Sequence, residues 1–221
     1  MAFWLLREKI KVDNKMIPWE DAKEILEEGD ILLFRGKGLI SFLIKRYTRG
    51  IHSHVGVAHN DSGDWQCVEF REFMGGRTVS LANQVKMLPE NIDVFRPIRK
   101  IDFDILNAND KCDIFIESFK KEYTNSVGGS VTRDIINWTG QPYGWSNIFK
   151  MFLRFVPGVR LFQRIGNDDD VAEAKVCSTA VTISLRKNYL DPVPYLADDR
   201  VSPADLARSP IIQYLFTIDG R

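Results

Sequence analysis

Cysteine and histidine are scarce in this chain of 221 residues, three of each, and no C-x-x-C pair occurs. Cys67, Cys112 and Cys177 are widely spaced and odd in number, which argues against a disulfide framework or a thiolate zinc site and suggests a reducing compartment. An excess of charge is missing too, since thirty basic residues balance thirty acidic ones. No overall field draws the chain to nucleic acid, and any contact with a membrane or cell wall has to come from a local patch. Long hydrophobic runs are also absent: residues 31–34 and 39–44 are interrupted by Arg35 and Lys37, far short of the roughly 20 apolar residues that span a bilayer. The apolar opening Met1-Ala-Phe-Trp-Leu-Leu6 meets Arg7, Glu8, Lys9 and Lys11 at once, too early for a secretory signal, so a cytoplasmic location is expected. What is present, 44% apolar and 27% charged residues, suits one globular domain. We read residues 1–28 as an N-terminal extension with a short helix and residues 29–221 as the domain.

The spacing of Trp19, Ala22, Ile25 and Leu26 predicts a helix over 19–28, stopped by Gly29. Residues 31–34 read as a buried strand, and 39–47 as a helix with Leu39, Phe42, Leu43 and Tyr47 on its inner face. Two β-prone runs, 54–58 and 65–70, flank the turn formers Asn60-Asp-Ser-Gly-Asp64 and predict a hairpin. Further strands are expected at 77–81 and 92–96, and Gly75-Gly76 reads as a turn. Helical spacing returns over 111–123, with Cys112 on a packed face. Residues 124–129 read as a loop, 140–144 as a turn, 145–155 as a helix, 166–170 as a polar loop and 177–187 as a helix. The tail suggests a helical turn at 203–210 and a closing strand at 211–216.

Cys177 stands at a predicted helix start, where unpaired backbone N–H groups and the positive end of the dipole favour a thiolate. The alternative is a small buried hydrophobe. His54 and Glu69 add to the nucleophile reading. With Ser62-Gly63 as a two-residue turn, position 56 faces position 69, and His54 lies diagonal to Glu69 on the same side of the hairpin. A one-residue slip would part them. The alternatives are a half-buried, hydrogen-bonded histidine and a solvated glutamate. Thiolate, imidazole and carboxylate together are the parts of a nucleophilic cysteine site, in the chain order His, Glu, Cys. On that reading, replacing Glu69 harms turnover more than folding.

Five segments in that order carry a resemblance: Gly29-Asp-Ile-Leu-Leu-Phe34, Ser53-His-Val-Gly-Val57, Cys67-Val-Glu-Phe70, Gly140-Gln-Pro-Tyr143 and Val176-Cys-Ser-Thr179. Together with Ser202-Pro-Ala-Asp-Leu206 they resemble the circularly permuted branch of the NlpC-type papain-like hydrolases, the YiiX-like group. The resemblance implies an α+β, permuted papain-like single domain, with a small antiparallel sheet packed on helices and the nucleophile at a helix N-terminus. It implies Cys177 as nucleophile, His54 as general base and acid, and Glu69 as the orienting residue, with no cofactor. Tyr143 is a candidate for substrate or oxyanion contact, beside the simpler reading of a packed ring in a turn. Gly144 follows it where the family often has aspartate. The backbone N–H of Cys177 is the simplest oxyanion donor.

His52, His54 and His59 invite a metal reading, because His52 and His54 would share one strand face, but the opposite parity of His59 speaks against it. Lys150-Met-Phe-Leu-Arg-Phe155 and Val159-Arg-Leu-Phe-Gln-Arg164 interleave aromatic and basic residues, as a segment that meets a membrane surface or a polyanion would, or, more simply, a core face with snorkelling cations. The expected activity is thiol hydrolysis of a peptide-like amide, peptidoglycan-derived fragments included. An acyl-lipid hydrolase or acyltransferase of the same clan, and a non-catalytic module that keeps the fold, stand as alternatives.

Overall fold

A computed structural model describes residues 15–89, 91–98, 124–142 and 176–221. The predicted helices at 111–123 and 145–155, the loop at 166–170, both aromatic-basic runs, Cys112 and Tyr143 lie outside the described residues. Within them the fold is mixed α and β, with seven strands in one mostly antiparallel sheet. The sheet is larger than the small one expected. Its strands are β1 (Met16–Pro18), β2 (Ile31–Phe34), β3 (His54–Asp61), β4 (Asp64–Arg71), β5 (Gly75–Ser80), β6 (Ile92–Pro97) and β7 (Ile212–Asp219). They lie in the order β1-β7-β6-β2-β3-β4-β5, and β1 runs parallel to β7. The helices are α1 (Trp19–Ile25), α2 (Leu39–Thr48), α3 (Leu81–Met87), α4 (Asn125–Ile136), α5 (Cys177–Lys187) and α6 (Pro203–Leu206).

Alternation along the strands sends side chains to two cores. Ile31, Leu33, Val55, Val57, Val68 and Phe70 pack with α4 and α5. Leu32, Phe34, Ala58, Cys67 and Val94 pack with Ala22 and Leu26 and with Leu81 and Val85 of α3. Residues 16–28 therefore contribute a strand and core side chains to the same sheet.

Helix α5 is the buried axle of the fold, with every residue from Cys177 to Leu185 buried. Its hydroxyls are the reason a helix so rich in Ser and Thr can sit there. Ser178 donates to Val201 O at 2.6 Å, Thr182 to Ser178 O at 2.9 Å and Ser184 to Val131 O at 2.8 Å. Each buried hydroxyl that finds a carbonyl avoids the cost of an unmet polar group.

Three local expectations are corrected. Residues 125–129 are the first turns of α4, not a loop. The Thr124 side chain accepts from Val127 N, and Val127, Val131 and Ile135 form a buried stripe that outweighs the poor helix propensity of Gly128 and Gly129. Gly75 and Gly76 open β5 instead of forming a turn. They are glycines because residues 138–141 cross them closely: a Cβ on Gly75 would stand 2.3 Å from Gln141 O, and one on Gly76 would stand 2.8 Å from Trp138 O. Helix α2 forms where expected, but Leu39, Phe42, Leu43 and Tyr47 face outward while Ile44 and Thr48 are buried. Among the described residues no helix is long and apolar enough to cross a membrane.

Candidate active site

The β3–β4 hairpin turns on Ser62 and Gly63, both with positive φ, the conformation of a two-residue turn whose twist matches its strands. This fixes the register Gly56↔Glu69 and Ala58↔Cys67. His54, the first residue of β3, thereby comes diagonal to Glu69, and its Nε2 donates to Glu69 Oε2 at 2.7 Å. The imidazole also lies against the Phe34 ring, with centroids 5.3 Å apart. Gly56 leaves the room for this. A Cβ there would stand 2.5 Å from Cys67 Sγ and 3.3 Å from Glu69 Cβ. Gly56→Ala should therefore push Glu69 off the ring and lower stability by about 1–3 kcal/mol. Thermal unfolding of the variant checks this.

Glu69 is almost wholly buried, so it is not the solvated residue that formed its alternative reading. Two cations, from β4 and from the edge strand β5, stand around it. Arg77, its cross-strand partner on β5, donates Nε to Oε1 at 2.8 Å, and Arg71 Nη1 lies 3.7 Å from the same oxygen. One carboxylate oxygen is thus held by arginine while the other faces histidine. Burial alone would raise the Glu69 carboxyl, but His54 by charge and hydrogen bond, and then Arg77, hold it down at about 2. Arg77 was read from the sequence only as a strand residue. The pairing that reveals it runs from β4 to β5 through residues 72–74, a connection with no strong turn signal.

Cys177 heads α5, as expected. Its N-cap, Val176, supplies no side-chain acceptor to the first N–H groups of the helix. The thiol adjoins His54. Burial disfavours the charged ring, yet the charge of the Cys177 sulfur, and the Glu69 carboxylate by charge and by hydrogen bond, raise His54 to about 10. Since Nε2 is engaged by Glu69, the remaining ring nitrogen, Nδ1, is buried without a hydrogen-bond partner. Cys67 sits behind the carboxylate, its Sγ 4.0 Å from Glu69 Oε2, and burial followed by the Glu69 charge pushes its thiol well up.

The three histidines diverge, each to its own carboxylate. His52 precedes β3 and does not share a strand face with His54; its Nε2 meets Asp93 Oδ2 at 2.7 Å. His59 Nδ1 meets Glu28 Oε1 at 2.9 Å. Among the described residues no group of three or more His, Cys, Asp or Glu side chains is arranged to hold a metal ion. The His52 site is instead a buried knot. Asp93 accepts from His52, from Arg35 Nε at 2.7 Å and Nη2 at 2.6 Å, and from Thr217 Oγ1 at 2.6 Å.

No protein-family model matches the sequence, and no curated protein is significantly similar to it. Among solved structures, the chain is similar to the metalloprotein yiiX from Escherichia coli O157:H7, with 15% identity, coverage of 86% of this chain and 97% of that one, and a TM-score of 0.47.

Proposed function

We propose that the protein is a thiol hydrolase that cleaves a peptide-like amide bond, with Cys177 as nucleophile, His54 as proton carrier and Glu69 as the group that orients the ring. The observation that carries this reading is the position of one buried imidazole between a carboxylate on Nε2 and the thiol at the start of α5. The ring holds its proton at neutral pH, which suits a sulfur that attacks as the thiolate.

In the proposed reaction the Cys177 thiolate adds to the carbonyl carbon, and the oxyanion meets backbone N–H groups at the start of α5. The C–N bond then breaks as His54 passes its Nδ1 proton to the departing nitrogen, leaving a thioester on Sγ. Water adds next, gives one proton to Nδ1, and the C–S bond breaks to release the acid. Glu69 stays ionised throughout, holds the tautomer and balances the imidazolium. Arg77 is a positioning residue, since it reaches the ring only through Glu69, its other contact being Met74 Sδ.

A labelling experiment tests the nucleophile. Brief alkylation at neutral pH followed by peptide mapping should modify Cys177 at least about ten times faster than Cys67, which is fully buried and has its thiol held protonated. Cys112 is expected to lag as well. Equal or preferential labelling of Cys67 removes the support for Cys177. Incubation with muropeptides and, separately, with lipid esters then identifies the acyl donor, as the class that leaves a thioester on Cys177; the reading expects muropeptides.

A further inference from the structure

Helix α2 wears its apolar stripe on the outside. Leu39, Phe42, Leu43 and Tyr47 recur at helical spacing with exposures of 75%, 59%, 36% and 46%, and Ile51, just past the helix, continues the stripe. Surface helices ordinarily turn such a stripe inward, and a contiguous exposed one marks a meeting surface. The orientation is fixed by the body of the protein. Arg208 Nη2 donates to Thr48 O at 2.8 Å and to Arg49 O at 2.9 Å, which closes the C-terminal end of α2. Lys45 Nζ donates to Gly36 O at 2.7 Å beside its start. A Cβ on Gly50 would come within 2.3 Å of Ala204 Cβ, so the exit from the helix is pressed onto α6.

The segment that carries the stripe has charge of one sign. From Ile31 to Asn60 there is no aspartate or glutamate, while Arg35, Lys37, Lys45, Arg46 and Arg49 all fall within that stretch of a chain that is neutral as a whole. Lys37, Arg46 and Arg49 are exposed, the first ahead of the helix and the others at its far end. Arg35 is taken up by Asp93, and Lys45 reaches back to Gly36. Leucine and phenylalanine on an outward face, bracketed by long basic side chains, match an anionic lipid surface: the apolar groups enter the acyl boundary while the cations reach the headgroup phosphates.

We propose that α2 is the docking face of this protein for an anionic lipid bilayer, with Leu39, Phe42 and Leu43 inserting and Lys37, Arg46 and Arg49 meeting phosphate. This stands whether or not Cys177 is a nucleophile. The full chain is tested by co-sedimentation with vesicles of phosphatidylcholine alone and of phosphatidylcholine with about a third phosphatidylserine. Binding is expected to the anionic vesicles only, and to weaken as salt is raised. Leu39→Asp with Phe42→Asp should reduce it at least tenfold, and Lys37→Gln, Arg46→Gln and Arg49→Gln by about fivefold each. Because all five side chains are exposed, circular dichroism and the unfolding midpoint of the variants should match the parent. Absence of binding to anionic vesicles overturns the proposal, and so does binding that the Asp pair leaves intact. A concentration-dependent dimer in sedimentation velocity that the Asp pair abolishes would also overturn it, since the stripe would then serve a second copy of the chain.

Discussion

Cys177→Ala and His54→Ala are each expected to bring amide turnover to background, and Glu69→Gln to lower it about ten- to a thousandfold. In a serine triad the corresponding change from acid to amide costs on the order of 10⁴. A thiol enzyme should lose less, because an ionised sulfur depends less on a base. The 2.7 Å bond from Nε2 to Glu69 is what makes the carboxylate matter at all. Glutamine fills the space but cannot balance an imidazolium. Since the proposed mechanism has the residues act as one unit, His54→Ala combined with Glu69→Gln should be no worse than His54→Ala alone. A defect that multiplies would mean the two are not partners. Folding should also suffer, contrary to what the sequence suggested, because Glu69 is buried between His54 and Arg77. Its folded pKa of about 2 lies below its ordinary 4.5. Its contribution to stability is therefore present above pH 4.5 and is lost as pH falls through 2, and is on the order of 3 kcal/mol. His54 has the opposite sign: raised to about 10, it contributes fully below 6.5 and loses that contribution as pH rises through 10. The parent should thus shed stability at both extremes, and the Glu69→Gln variant should have a flattened acid limb in denaturant titrations. Turnover of the two proteins should be compared well below the lower midpoint.

Asp93→Ala is expected to cost about 3–5 kcal/mol of unfolding free energy, read by chemical denaturation at pH 7. The carboxylate is fully buried and takes donors from three side chains, Arg35, His52 and Thr217. Removing it leaves the His52 donor buried and unmet, Thr217 with the Tyr214 hydroxyl as its remaining close partner, and the Arg35 guanidinium without its counter-charge. Burial opposes the ionised form of Asp93, but the hydrogen bonds from His52, Arg35 and Thr217 hold its carboxyl below the ordinary range. Its contribution is accordingly present above pH 3.8 and is lost as pH falls through the lowered value. A loss under about 1 kcal/mol would show that the donors find other partners and that the knot is not structural. Alkylation of Cys177 in this variant, measured under folding conditions, should match the parent, because nothing in the knot bonds to His54 or Glu69.

The hairpin and α5 were legible because each is set by local chemistry. Asn60-Asp-Ser-Gly-Asp64 dictates a two-residue turn, the turn dictates the register, and the register brings His54 to Glu69. Residues 177–187 carry a helical stripe over their whole length. The misses share the opposite property, since each depends on residues distant in the chain. Helix α2 has the spacing of an inward face, yet contacts to Arg208 and Ala204 determine which side it turns to the body. Gly128 and Gly129 read as loop until Val127, Val131 and Ile135 are given a core to enter. Helix α3 was not expected, because Ser80 capping Asn83 N is a weak signal after a strand that was thought to run on to residue 81. Arg77 became visible only with the β4–β5 register.

The position of β7 bears on how the chain comes together during synthesis. It lies between β6 and β1, pairing Ile218 with Ile92 on one side and Thr217 with Met16 on the other. A nascent chain can close the β3–β4–β5 meander from neighbouring residues, yet the free edge of β6 has to wait for residues 212–219 to emerge from the ribosome. Thr217 delivers the last of the side chains that surround Asp93. Until then an unpaired edge and a carboxylate short of one hydrogen bond coexist, and such an edge invites pairing with other chains. With partners so distant in sequence, the final docking of β7 should be the slow step of folding.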